Sequence, residues 1–154
     1  MIIQKPSNKY SISGKFKNRI LLIAWFDPLG VPSIYETIYY FQKNLDFAVK
    51  VLNLFDNRYP NDYLSINPKI DLQEYDILII HNTVSYNVKN LNSLDKFLKI
   101  KISDFQGVKV LFKQDDHNDY PEVINYIKKI KFDLIYTLVP KESISKVYPK
   151  DQTN

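Results

Sequence analysis

The chain has 154 residues, 45% of them hydrophobic and 25% charged, with a formal net charge of +4. That is one domain's worth of material, long enough to bury a core and too apolar for wholesale disorder. Cysteine is absent, which excludes disulfides and thiolate metal sites, and the mild basicity lacks the concentrated stripe of a nucleic-acid binder, so no nucleic-acid partner is expected.

Residues 1–18 are polar, carry no apolar core of signal-peptide length and read as a flexible tail. The first strand is expected at 19–26, an apolar run without alternation, as befits a strand covered on both faces. A helix follows, with Pro32 near its start, Ser33 and Glu36 at capping-box spacing, and Ile34, Ile38, Phe41 and Leu45 forming an apolar stripe. Residues 48–55 read as the second strand, and 57–72 as an irregular connection. The third strand is expected at 76–80, ending on His81. Leu94, Phe97 and Leu98 then make one face of an amphipathic helix over 92–101. Gly107 punctuates, and the fourth strand occupies 108–112. Pro121 opens the next helix after Asp119, with Val123, Ile124, Ile127 and Ile130 as its stripe and Lys128, Lys129 and Lys131 near its dipole-negative end. A fifth strand at 132–138 and a short helix at 141–148 complete the series.

Strand and helix alternating in this way mean parallel strands joined by right-handed crossovers. The fold class is therefore α/β, a three-layer Rossmann-like open sheet of about five parallel strands with helices on both faces. The expected strand order is 3-2-1-4-5, which would set the loops after Phe26 and after Lys113 on either side of one crevice.

Three apolar runs stop abruptly at chemically able residues: at Asp27 to Gly30, at His81 with Asn82, and at Asp115, Asp116 and His117. In open parallel sheets, ligands bind outside the carboxyl ends of the strands, so these residues are the site candidates. His81 is a candidate general base, because imidazole titrates near neutrality; a histidine bonded to backbone at a strand end is the competing reading. Asp115 and Asp116 fit either a carboxylate contacting a sugar or phosphate-bearing ligand, or loop capping. Adjacent side chains on an extended backbone point in opposite directions, so these two and His117 do not share one ion unless the loop curls, and no metal is expected. His117 reads as an exposed loop histidine and Glu36 as a helix cap. The turn after the first strand lacks the glycine triplet of a dinucleotide fingerprint and the Gly-Lys-Ser/Thr of a P-loop, and no Gly-x-Ser-x-Gly elbow occurs.

Three segments carry a resemblance. They are Tyr75-Asp76-Ile77-Leu78-Ile79-Ile80-His81-Asn82-Thr83; Phe105-Gln106-Gly107-Val108-Lys109-Val110-Leu111-Phe112-Lys113-Gln114-Asp115-Asp116; and Phe132-Asp133-Leu134-Ile135-Tyr136-Thr137 with Val139-Pro140-Lys141-Glu142 and Val147-Tyr148-Pro149. In this order they resemble the N-terminal half of GT-B-fold glycosyltransferases, closest to the family 1 and family 4 types of bacterial surface-polysaccharide loci. The likeness spans 19–149. It implies an acceptor-side Rossmann-like domain facing a donor domain across a cleft, working without a bound metal or cofactor. Asp27, Gly30, Asn82, Asp116 and His117 would then line the acceptor side, and His81 or Asp115 would activate an acceptor hydroxyl.

By the same likeness the acceptor is a glycan or lipid-linked glycan. The nucleotide-sugar is held only with a C-terminal donor domain or a partner chain, whose linker would begin at 150–154, and this chain alone is expected to be inactive. The first-loop glycines of many relatives are here reduced to Gly30. A cytoplasmic location follows, with peripheral contact at the inner membrane face left open by Lys96, Lys99, Lys101, Lys128, Lys129 and Lys131. Two other readings stand beside this one. The first is a non-catalytic Rossmann-like binding or interaction module. The second is a nucleotide-sugar enzyme of the other common glycosyltransferase fold, using Asp115 or Asp116 with a divalent metal.

Overall fold

Leu21, Leu22, Ile23 and Ala24 are all fully buried, which a strand achieves only when both faces of its sheet are covered. A computed structural model of the chain describes residues 18–55, 70–86, 88–99, 101–117 and 119–149. The expected tail at 1–18 (but for Asn18), most of the irregular connection at 57–72, and the expected linker at 150–154 lie outside the described residues. Strand β1 (Arg19–Ala24) leads to helix α1 (Pro32–Asn44) and strand β2 (Ala48–Asn53). Strand β3 (Ile77–Ile80) is followed by a single helical turn, α2 (Asn82–Ser85), and by α3 (Val88–Leu98). Strand β4 (Val108–Lys113), helix α4 (Tyr120–Ile130), strand β5 (Leu134–Thr137) and the short α5 (Ile144–Val147) complete the chain order.

All five strands are parallel, in the order β2-β1-β3-β4-β5. The three-layer Rossmann-like α/β fold is present, but the expected 3-2-1-4-5 order is not. The reason lies in burial. Ile20–Ala24 of β1 and all of β3 are apolar and take the interior of the sheet, whereas β2, with Ala48 and Lys50 exposed, tolerates an edge. The chain therefore reverses direction between β1 and β3. The loops after these two strands flank the switch point, and the loop after β4 lies one strand farther out.

Two apolar layers sandwich the sheet. On one side α3 and α4 cover Leu21, Ile23, Leu78, Ile80 and Leu111, with Leu91, Leu94, Ile127 and Ile130 supplied by the helices. On the other, α1 sets Ile34, Ile38 and Phe41 over Ile20, Leu22, Ile79 and Val110. The expected α1 stripe is thus real, although Leu45 falls just beyond the helix. Its capping box is not formed: the helix starts at Pro32 with Val31 as N-cap and no side-chain cap bond. This places Ser33 at the second helical position and Glu36 beyond the first turn, which holds no acidic residue, so the reciprocal cap-to-N3 bonds of the box cannot form.

The amino ends of β1 and β4 are each clasped by an aspartate. Asp76 Oδ2 accepts from the Arg19 amide at 3.1 Å, and Asp133 Oδ2 accepts from the Lys109 amide at 2.8 Å. In both cases the aspartate's own amide donates to the same neighbour's carbonyl. Gly107 is required where β4 begins, because a Cβ there would sit 2.3 Å from the Asp76 carbonyl oxygen.

Candidate functional site

The carboxyl ends of β1, β3 and β4 are tied to one another by side chains. Thr83 Oγ1 accepts from the Trp25 amide at 3.0 Å and lies 3.0 Å from His81 Nδ1. His81 Nδ1 also accepts from the Thr83 amide at 3.3 Å and so caps α2. With Nδ1 an acceptor, the Thr83 hydroxyl donates to it, and the remaining ring proton is on Nε2. The ring is 2% exposed, and burial pulls its pKa down to about 4. His81 is therefore a neutral, interior helix cap that joins β3 to β1. It is not at the rim where a solvent-borne substrate could meet it.

Asn53 at the end of β2 performs a similar service. Its side chain accepts from the Phe26 amide at 3.1 Å and donates to the Phe26 carbonyl at 2.8 Å. Asp27 is exposed, and its Oδ1 accepts from the Leu29 amide at 2.9 Å, while Gly30 N–H closes the turn onto the Asp27 carbonyl. A Cβ on Gly30 would meet Asp27 at 3.1 Å, so this glycine serves the turn. Asn82 Nδ2 donates to Gln114 Oε1 at 2.7 Å, and the fully buried Ser85 hydroxyl donates to the Phe112 carbonyl at 2.5 Å, which fastens β3 to β4.

Past β4, Asp116 is half-buried and its two oxygens accept from Thr137 Oγ1, at 2.9 Å, and from the Tyr148 hydroxyl. Burial, then the bond to Asp116, pushes the Tyr148 phenol upward, so it stays a donor. Asp116 accordingly buckles the β4 loop to β5 and to the segment after α5. Asp115 differs. Its backbone is left-handed, with φ 53°, its side chain is half-buried, and its carboxylate has no hydrogen-bond partner among the described residues. His117 is exposed. Among the described residues no three His, Asp or Glu side chains converge where an ion could sit.

The structure therefore separates the candidates. Asn82 and Asp115 belong to one stretch of rim, linked through Gln114. Asp27 and Gly30 form a separate turn on the other side of the switch point. Sequence reasoning missed Lys113, which is 2% exposed at the last position of β4, and Thr83, the hub between His81 and Trp25. The one signal in the sequence was a lysine directly at the end of an apolar run. No helix among the described residues is long and apolar enough to cross a membrane. No family model, no curated protein and no solved structure matches this chain.

Proposed function

We propose that this chain is the acceptor-binding half of a glycosyltransferase, taking a glycan or lipid-linked glycan at the carboxyl edge of its sheet. Two things support the reading: the motif series over residues 19–149 and the parallel sheet on which those motifs sit. The observation that carries it is Asp115, a carboxylate without a hydrogen-bond partner among the described residues, on strained backbone at a strand's carboxyl end. Non-glycine residues held left-handed cost free energy and gather at functional sites.

In this proposal Asp115 accepts the proton of the acceptor hydroxyl as that oxygen bonds to the anomeric carbon and the nucleoside diphosphate departs. Asn82 and Gln114 hold neighbouring hydroxyls. His81 has no part in the chemistry, because its ring is interior and Nδ1 is engaged. The donor is held elsewhere, since three glycines in the whole sequence build no phosphate-cradling loop. The test is a thermal-shift and titration screen of the purified chain against oligosaccharides and nucleotide-sugars. Stabilisation by an oligosaccharide in the wild type, reduced at least tenfold in affinity by Asp115→Asn, supports the proposal. Stabilisation by nucleotide-sugars alone, or an oligosaccharide response indifferent to Asp115→Asn, overturns it.

One observation favours a second reading, the non-catalytic interaction module. Leu134, Tyr136 and Leu138 are 52%, 60% and 66% exposed, giving an apolar row along the edge strand β5. Silence toward every sugar, together with concentration-dependent self-association that Tyr136→Lys removes, would select it.

A further inference from the structure

Lysine is seldom fully interior, yet Lys113 is 2% exposed at the carboxyl end of β4. Its position in the strand's alternation, next to Leu111 by two, points the side chain into the layer beneath α4. Among the described residues the ammonium forms no salt bridge. It curls back, donating to the Gln114 carbonyl at 2.7 Å and to the Asp115 carbonyl at 3.3 Å. Burial pulls its pKa down, while the charges of Asp116, Asp115 and Asp119 oppose that pull.

We infer that Lys113 is a positioning residue: its sealed ammonium draws the carbonyls of Gln114 and Asp115 inward and so fixes the left-handed turn that presents Asp115 at the rim. Two successive carbonyls turned toward one cation is an arrangement that an extended chain leaving a strand cannot make, since successive carbonyls there point to opposite sides. The left-handed φ of 53° at Asp115 is the bend that allows it. The rim half of the same turn is pinned separately, by Asn82 on the Gln114 side chain. A lysine below and an asparagine above therefore grip one residue pair between them. The importance of this turn for sugar binding rests on the proposed acceptor role, whereas the grip itself does not.

The experiment is nuclear magnetic resonance on the full chain without any ligand. In the wild type the Lys113 ammonium gives a protected N–H signal, and Asp115 shows the strong intraresidue amide-to-Hα cross-peak of positive φ. In Lys113→Met that cross-peak weakens to the level of its strand neighbours, while β3 and α3 amides keep their exchange protection. Lys113→Arg, which restores charge and donors, recovers at least part of the cross-peak. Retention of the Asp115 cross-peak in Lys113→Met overturns the inference. Should that variant not fold, an unprotected, freely exchanging Lys113 ammonium in the wild type overturns it instead. A collapsed turn in Lys113→Met beside a wild type that ignores all oligosaccharides would leave the positioning role standing and remove the acceptor proposal.

Discussion

His81 shows how burial decides what a titratable side chain can do. A histidine free in an unfolded chain titrates near 6.5, whereas in the fold it is held to about 4 by desolvation. Between these values the unfolded chain binds a proton that the native ring refuses, so stability falls as the pH drops from 6.5 towards 4 and levels off below. At ~1.4 kcal/mol per unit of displacement, the loss is about 3 kcal/mol. Urea titrations across that window should show this slope in the wild type and a shallower one in His81→Asn, which keeps a side chain able to cap α2. Equal slopes would mean that the ring is solvated in the native state. Tyr126 makes a related case. It is 2% exposed, and its hydroxyl is buried with no hydrogen-bond partner among the described residues. Removing an unsatisfied polar atom removes its desolvation cost, so Tyr126→Phe should leave stability unchanged or raise it by about 1 kcal/mol. A clear loss in chemical denaturation would show that the hydroxyl has a partner after all.

Among the elements, the ends carry the information. Helix α4 stops at Lys131, whose φ is 57° and whose amide still donates to the Ile127 carbonyl. An L-residue pays for that left-handed geometry and glycine does not, so Lys131→Gly should gain about 0.5–1 kcal/mol, read as a raised urea midpoint at unchanged slope. The opposite sign would place the lysine charge at the helix end above the backbone strain. At the strand starts, Asp76 is 9% exposed and is the acceptor for the Arg19 amide. Asp76→Ala should cost about 1–3 kcal/mol by leaving that donor unpaired, and Asp133→Ala less, because Asp133 is exposed and water can replace it. The two Tyr/Phe-Asp pairs that helped carry the family likeness thus do structural work at the amino edge, away from the candidate site. Element positions were legible because Ile20–Ala24 of β1 and the whole of β3 are unbroken apolar runs, β4 is apolar but for Lys109 and Lys113, and the stripes of α1 and α4 keep helical period. The single turn α2 was not, since its start is set by a histidine cap and its hold by Ser85 reaching across to β4.

For the whole molecule, what the sequence left unread is what only tertiary structure sets. Strand order depends on which runs compete for the centre, and the burial of His81 and Lys113 depends on which neighbour closes over a strand end; neither leaves a local period. The site residues were legible as positions past strand ends, but not as a partition into structural ties (His81, Asp116, Asp27) and a carboxylate with no hydrogen-bond partner among the described residues (Asp115). The two faces of the sheet likewise read alike in sequence and differ in the fold. Leu111 is fully buried beneath α3 and α4, whereas Leu134, on the adjacent strand and the opposite face, is 52% exposed. Phe112 continues that open side, with its ring 5.3 Å from Tyr136 and 5.4 Å from Phe41 of α1. A cavity at a sealed position cannot refill, so Leu111→Ala should cost about 2–5 kcal/mol. Leu134 has little apolar contact to lose, and Leu134→Ser should cost below about 1 kcal/mol. Urea denaturation of both variants at two protein concentrations decides the matter. Comparable losses at both positions would mean that the β5 side of the sheet is covered in solution. A loss for Leu134→Ser that grows with protein concentration would identify the cover as a second copy of the chain.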